Sequence, residues 1–254
     1  MRPISLAAIA ATLILSTTFS ARAITLYDGA LNTFPENQGW LFYGQDAAVT
    51  TKTAAGGKTT FDTGTSTTKA GWSNTIPIIN TLVNPSFPTL DRANGFVLGF
   101  DVKVLSESHL NNDRAGFDII LLASDHQGVE LGFWTNEIWA QTLSGATFVH
   151  GEGSAVSTTS ATHYDLGIHG STYELFANGS ASPILTGPVR DYSSALAIPY
   201  GLPNYLFVGD DTTSATASIE LSKLTIVPEP MCALLVPVAM TLTRRLRGRS
   251  ARSR

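Results

Sequence analysis

The chain has 254 residues, of which 43% are apolar and 14% charged, and its formal net charge is −4. That length and apolar content suffice to bury one sizeable core, and the acidic balance argues against nucleic acid or an anionic membrane surface as a partner. The only cysteine, Cys232, excludes an intrachain disulfide in any compartment.

Residues 1–23 combine the early charge of Arg2, an apolar run from Ile4 to Leu15, a Ser/Thr-rich approach and the small-x-small site Ala21-Arg22-Ala23. This pattern predicts a secretory signal peptide and a mature chain beginning at Ile24. Short apolar runs follow at Ile24 to Tyr27 and Trp40 to Tyr43, and again at Phe61, expected as an edge strand followed by exposed loops and short strands, with the segment over 50–71, rich in Thr, Gly and Ala, expected as a mobile arch. Asn80 to Asp91, with Pro85 and Pro88, reads as a connector. Gly95 to Leu105 alternates cleanly, with Phe96, Leu98, Phe100, Val102 and Val104 on one face, which predicts a strand.

Arg114 to Thr142 organises the rest of the chain. Phe117 to Leu122, Val129 to Trp134 and Glu137 to Thr142 are strand-length runs joined by polar turns at Asp125 to Gly128 and Thr135-Asn136, which predicts a meander. The first of these strands is apolar on both faces and is therefore expected to be central and covered by a second sheet. Further strands are expected at Thr147 to His150, Thr162 to Ile168, Thr172 to Ala177, Ala181 to Leu185, Asn204 to Gly209 and Ser214 to Ile226, with Gly151 to Ala161 as a loop. Asn178-Gly179 marks a tight hairpin, because both residues tolerate positive φ. Eleven or twelve strands without an amphipathic helix predict an all-β, antiparallel jelly-roll sandwich over residues 24–226.

Val227-Pro228-Glu229-Pro230 precedes an apolar run over 231–243, expected as a helix, and then six arginines including Arg244, Arg245 and Arg247. Thirteen residues fall short of the roughly 20 that span a bilayer, and Pro237 weakens the helix, while the arginines would stop translocation on the cytoplasmic side. This end resembles the PEP-CTERM sorting signal of Gram-negative bacteria, in the motif Pro228, Glu229, Pro230 and the basic cluster. The resemblance implies export, processing by an exosortase-like enzyme, contact of 231–243 with the inner membrane and delivery to the envelope or extracellular matrix. Its apolar run is shorter and its basic tail longer than the family's. Without the two ends, residues 24–226 hold eight basic and nineteen acidic residues, a net charge of about −11. Such a surface suits divalent cations and neutral polymers.

YDLGIHGSTYELFANG, Tyr164 to Gly179, resembles a hairpin pair of laminin-G-like and concanavalin A-like sandwiches. Taken with the meander and Leu202 to Ile226, residues 24–226 resemble the choice-of-anchor exported domains, of the Y type, a family that implies a fold and a location but no activity.

Flat indoles suit sugar faces, so Trp134 and Trp139, with Asn136, Glu137 and Gln141 to fix hydroxyls, are candidate polysaccharide ligands, weighed against a plain core role. His150 joins them because Glu152 lies two residues on. The turn Asp210-Asp211-Thr212 resembles the edge calcium sites of lectin sandwiches, and pairing of the first and last strands would bring Asp28 to Asp211 to complete an oxygen shell. A laminarinase-like glycoside hydrolase would need two carboxylates about 5–5.5 Å apart for retention. Of Asp118, Asp125, Glu130 and Glu137, no two share a strand in that family's E-x-D-x-x-E pattern, and Glu130 and Glu137 would need a particular register. The sequence therefore favours a non-catalytic domain that binds or builds extracellular polysaccharide over a divergent hydrolase or a purely structural matrix protein.

Overall fold

The computed structural model describes residues 22–46, 50–65 and 67–228. The body of the expected signal peptide, Glu229 and Pro230 of the sorting motif, the apolar run over 231–243 and the arginine cluster lie outside the described residues. Among those residues no helix is long and apolar enough to cross a membrane.

In chain order the strands are β1 (Ile24–Asp28), β2 (Leu41–Gly44), β3 (Thr51–Ala55), β4 (Lys58–Asp62), β5 (Ala70–Ser73) and the short pair β6 (Thr75–Ile76) and β7 (Thr81–Leu82). Then come β8 (Phe96–His109), β9 (Asp118–Leu122), β10 (Gly128–Phe133), β11 (Ile138–Ser144), β12 (Thr147–Ser154), β13 (Thr162–His169), β14 (Thr172–Ala177), β15 (Leu185–Pro188), β16 (Tyr205–Asp210) and β17 (Ala215–Pro228). The helical elements among the described residues are two 3-10 turns, Gly29–Leu31 and Pro35–Gln38.

All pairings among the described residues are antiparallel, and they build, besides the small β6–β7 pair, two large facing sheets. One has the order β15-β14-β13-β8-β17-β4-β3, and the other β12-β11-β10-β9-β16-β5-β2. β17 is paired twice along one edge, by β4 opposite Ser218–Leu221 and by β1 opposite Lys223–Ile226. The core lies between the sheets. Phe96, Leu98, Phe100, Val102 and Val104 of β8 meet Ile119 and Leu121 of β9 and Val129, Leu131 and Phe133 of β10 there. Full burial of each such side chain favours folding by about 1.5–3 kcal/mol, so the alternation along β8 selects the inward face. The result is an antiparallel jelly-roll sandwich.

β9 is the fourth of seven strands and buried at every position. The second sheet covers only Ile119 and Leu121. Ile120 and Leu122, on the opposite face, are covered by Tyr192, Tyr200 and Leu202 from the connection between β15 and β16, together with Tyr205 and Phe207 of β16. That connection, here termed the strap, replaces the expected second sheet on this side.

Three other expectations are corrected. Residues 50–71 are no arch: they form the β3–β4 hairpin and lead into β5. Gly56 and Gly57, at φ 62° and 79°, make the turn, as two consecutive positive-φ residues do in a type I′ hairpin. The alternating threonines around them are good strand residues. Gly151 to Ser154 continues β12 and is not loop. The strand expected at Ala181 to Leu185 begins only at Leu185, after the Pro183 that interrupts the run.

Candidate functional site

The outer face of the seven-stranded sheet, under the strap, gathers three carboxylates that are far apart in sequence. Register explains how. Asp118 on β9 stands opposite Gly132 of β10 and Gly209 of β16. Glu130 is two residues before Gly132 and Asp211 two residues after Gly209, so both are diagonal neighbours of Asp118 on the same face. Such neighbours lie about 7–8 Å apart, within reach of side chains. One carboxylate oxygen from each of Asp118, Glu130 and Asp211 lies within 4.8 Å of the other two.

The strap closes over them. Arg190 pairs with Gly128 through backbone bonds of 2.8 and 2.9 Å. The Tyr192 hydroxyl donates to the Gln141 carbonyl at 2.8 Å and accepts from the Glu130 amide at 3.3 Å. The Tyr200 hydroxyl contacts Glu130 Oε2 and lies 2.9 Å from Asp211 Oδ2. Asp118 and Glu130 are each 2% exposed, whereas Asp211 is half-buried.

Burial, followed by the charge of Asp211, pushes the carboxyls of Asp118 and Glu130 well above the usual carboxylate range. Arg114 opposes the shift at both, and the Tyr200 bond opposes it at Glu130. Burial and the same acidic neighbours push the Tyr200 hydroxyl up. Asp210 points away from this face, near Thr63, and burial raises its carboxyl to about 9.

Two clefts open beside the strap. One, of about 480 Å³, is polar and is lined in part by Arg114, Glu130, Phe148 and Tyr200. The other, of about 260 Å³, is mostly apolar, with Tyr43, Ile120, Ile198 and Phe207 in its walls. Lys69, Leu196 and Asp211 line both, so the two clefts are adjacent, and together they are termed the groove. Tyr43, Leu196 and Ile198 are 50%, 46% and 53% exposed. None of these groove residues was singled out from the sequence except Asp211, and Glu130 only as a possible acid.

The candidates read from the sequence lie elsewhere or are covered. Trp134, Trp139, Glu137 and His150 do come together, at one end of the same sheet, but as a stacked column. His109 lies against Trp134 at 4.3 Å and 13°, and His150 against Trp139 at 4.4 Å and 18°. Trp139 is completely buried and Gln141 nearly so, its amide donating to the Val149 carbonyl at 2.9 Å. Trp139 and Gln141 are thereby closed to a sugar, while Trp134 is half-buried with one face against His109. His150 Nε2 lies 3.3 Å from Glu137 Oε1, Trp134 Nε1 donates to the Arg114 carbonyl at 3.0 Å, and Asn136 is exposed on the turn. Glu152 bonds Tyr173 and Arg190 and does not face His150's ring.

The Asp28–Asp211 calcium pair is also corrected. β1 does pair with the last strand, but its register sets Asp28 opposite Lys223. That is eight residues beyond Ala215, or about 27 Å of strand from the Asp211 end. Asp28 instead caps a 3-10 turn, its Oδ1 accepting from the Ala30 amide at 3.0 Å. Nor do Glu130 and Glu137 form an acid pair. Glu137 lies next to Trp134, four residues along β10 from Glu130, through the bond from the Trp134 amide to the Glu137 carbonyl.

No family model matches this chain, and no curated protein matches it by sequence. Solved structures share its fold at low identity. A carbohydrate esterase of Shiga toxin-encoding bacteriophage phi24B superposes with a TM-score of 0.52 at 11% identity, over 82% of this chain and 100% of its own. A family 7 alginate lyase, A1-II′, gives 0.44 at 15% identity over 80% and 93%. The binding domain of botulinum neurotoxin DC gives 0.46 at 8% identity over 82% and 48%.

Proposed function

We propose that this chain is an exported, non-catalytic β-sandwich that holds extracellular polysaccharide in the groove beside the strap. One observation carries the reading: on a sheet face that the sandwich does not use, a polar cleft and an apolar cleft lie side by side and share Lys69, Leu196 and Asp211 in their walls. A sugar ring needs both kinds of wall, apolar contact for its C–H faces and charged or hydroxyl groups for its oxygens. The larger cleft also falls in the usual size range for ligand sites, about 300–1,000 Å³. The exposed ring of Tyr43 supplies a flat surface that the buried Trp139 cannot.

Export and envelope delivery rest on the two ends of the sequence. The apolar run with Ala21-Arg22-Ala23 directs secretion. Pro228-Glu229-Pro230, the apolar run over 231–243 and the arginines hold the precursor at the inner membrane for an exosortase-like enzyme of a Gram-negative bacterium. A choice-of-anchor domain between such ends fits a protein displayed at the surface or released into the matrix.

A second reading has one observation in its favour. Glu130, its carboxyl raised by burial, and Asp211, half-buried, both line the polar cleft, as the acid and nucleophile of a retaining glycoside hydrolase would. Hydrolysis of a β-glucan by the purified protein, lost in Glu130→Gln, would establish that reading in place of simple binding. The test of the preferred one is a glycan array probed with wild type and Tyr43→Ala. Binding that weakens in the variant supports it, and no binding at millimolar ligand would leave a structural matrix protein.

A further inference from the structure

Under the strap, one of the three converging carboxylates has nothing to bond. Asp118 is 2% exposed, and its Oδ2 is buried without a hydrogen-bond partner among the described residues, a state that costs free energy unless something in the site answers it. Its neighbours are poorly supplied too. The Tyr200 hydroxyl reaches both Glu130 Oε2 and Asp211 Oδ2, yet it has one proton and can donate to one of them at a time. Arg114, the cation nearest in charge effect, directs its Nη1 to the carbonyls of Asp113 and Phe148, at 2.6 and 3.3 Å. These carboxyl groups, on a domain already strongly acidic, have no cation bonded to them among the described residues; Arg114 and Lys69 act on them through charge alone.

We propose that Asp118, Glu130 and Asp211 form a divalent-cation site whose occupant is calcium. Oxygens within 4.8 Å of one another match what a shared ion demands, since two ligands at calcium's bond length of about 2.3–2.6 Å lie at most about 5 Å apart. The donor set is all oxygen, with no imidazole or thiolate, which selects calcium, magnesium or manganese over zinc and copper. Magnesium requires near-octahedral geometry, whereas calcium accepts irregular shells of six to eight oxygens. Here β9, β10 and the residue that follows β16 supply one side of the shell, and the cleft of about 480 Å³ leaves the other side to water or ligand oxygens. The competing occupant is the proton, and the experiment separates the two. The site goes beyond the polysaccharide reading and is tested with calcium alone.

The experiment is thermal unfolding of the full-length protein in calcium and in chelator, for wild type, Asp118→Asn and Asp211→Asn. Calcium at about 100 times its dissociation constant raises the folded-to-unfolded ratio about 100-fold, a midpoint shift of about 5–10 °C for a domain of this size. Wild type should show that shift and both variants should lose it. In chelator, Asp118→Asn should melt at or above wild type, because it replaces a carboxyl whose buried Oδ2 bonds nothing by a group of nearly the same shape. Asp211→Asn, at a half-buried position, keeps the test open if Asp118→Asn does not fold. Terbium emission sensitised by Tyr200 and Tyr205 gives a second readout, present in wild type and absent in Asp211→Asn. A wild-type midpoint indifferent to calcium, a terbium signal absent from wild type, or a calcium shift retained in full by both variants would each overturn the proposal.

Discussion

Tyr200→Phe isolates what the strap contributes to the acidic face. The ring would keep its place, 5.4 Å from Tyr192 and 5.1 Å from Phe148, so no cavity beyond one hydroxyl opens. What is lost is the donor shared by Glu130 and Asp211. Leaving a buried acceptor without its partner costs about 1–3 kcal/mol, and Glu130 Oε2 would be so left, so the cost should lie near 1–3 kcal/mol at neutral pH in chelator. With a urea slope of about 1–3 kcal/mol per molar, the unfolding midpoint should fall by about 1 M. Tyr192→Phe is the comparison: it removes a neutral bond to the Gln141 carbonyl, with an expected loss of about 0.5–1.5 kcal/mol. A Tyr200→Phe loss below about 0.5 kcal/mol would refute the view that this hydroxyl supports the carboxylates.

Gly128→Ala should cost about 3 kcal/mol or more, measured by the same denaturation, because a Cβ there would sit 1.9 Å from the Leu121 carbonyl oxygen, backbone against backbone. Burial raises the Glu152 carboxyl, but bonds from Arg190 and Tyr173 outweigh it and leave it below its ordinary value. Its contribution is therefore present above the unfolded value of about 4.3 and lost as pH falls through the folded one. Solvent screening limits it to about 1 kcal/mol, so wild type should lose that much more stability than Glu152→Gln between pH 6 and pH 3. Replacing Arg244, Arg245 and Arg247 with Ser should leave precursor uncut or mislocalised, and unchanged processing would count against a sorting role.

Much of the sandwich was legible because its signals are local. The alternation of Phe96 to Val104, the two-sided burial of Ile119 to Leu122 and the Asn178-Gly179 turn each constrain the backbone directly. β3, β4 and β5 were missed because glycine and alanine content outweighed the threonine alternation. The strap was missed for a different reason. Tyr192, Tyr200 and Leu202 sit in irregular chain, where no periodicity marks which face they cover.

The site shows the same division. The hairpin register that sets Glu130 opposite Ile120 follows from the turn at Asp125 to Gln127, so Asp118 and Glu130 as diagonal neighbours were within reach of the sequence. Asp211 joins them only because β16 pairs with β9, a contact between residues about ninety positions apart in the chain. The tryptophans pointed to a sugar platform because residue type carries no information about stacking. One face of Trp134 is taken by His109 and one face of the buried Trp139 by His150.

The groove is tested most directly by the affinity of the full-length protein for a glycan identified on the array, compared between two sets of variants. Tyr43→Ala and Leu196→Glu alter the exposed walls of the groove, while Asn136→Ala and Glu137→Ala alter the exposed part of the aromatic end. Loss of one aromatic contact should weaken binding by about 1 kcal/mol, or about fivefold, and the glutamate should weaken it further. The account predicts these losses in the groove variants and unchanged affinity at the aromatic end; the reverse pattern would contradict it.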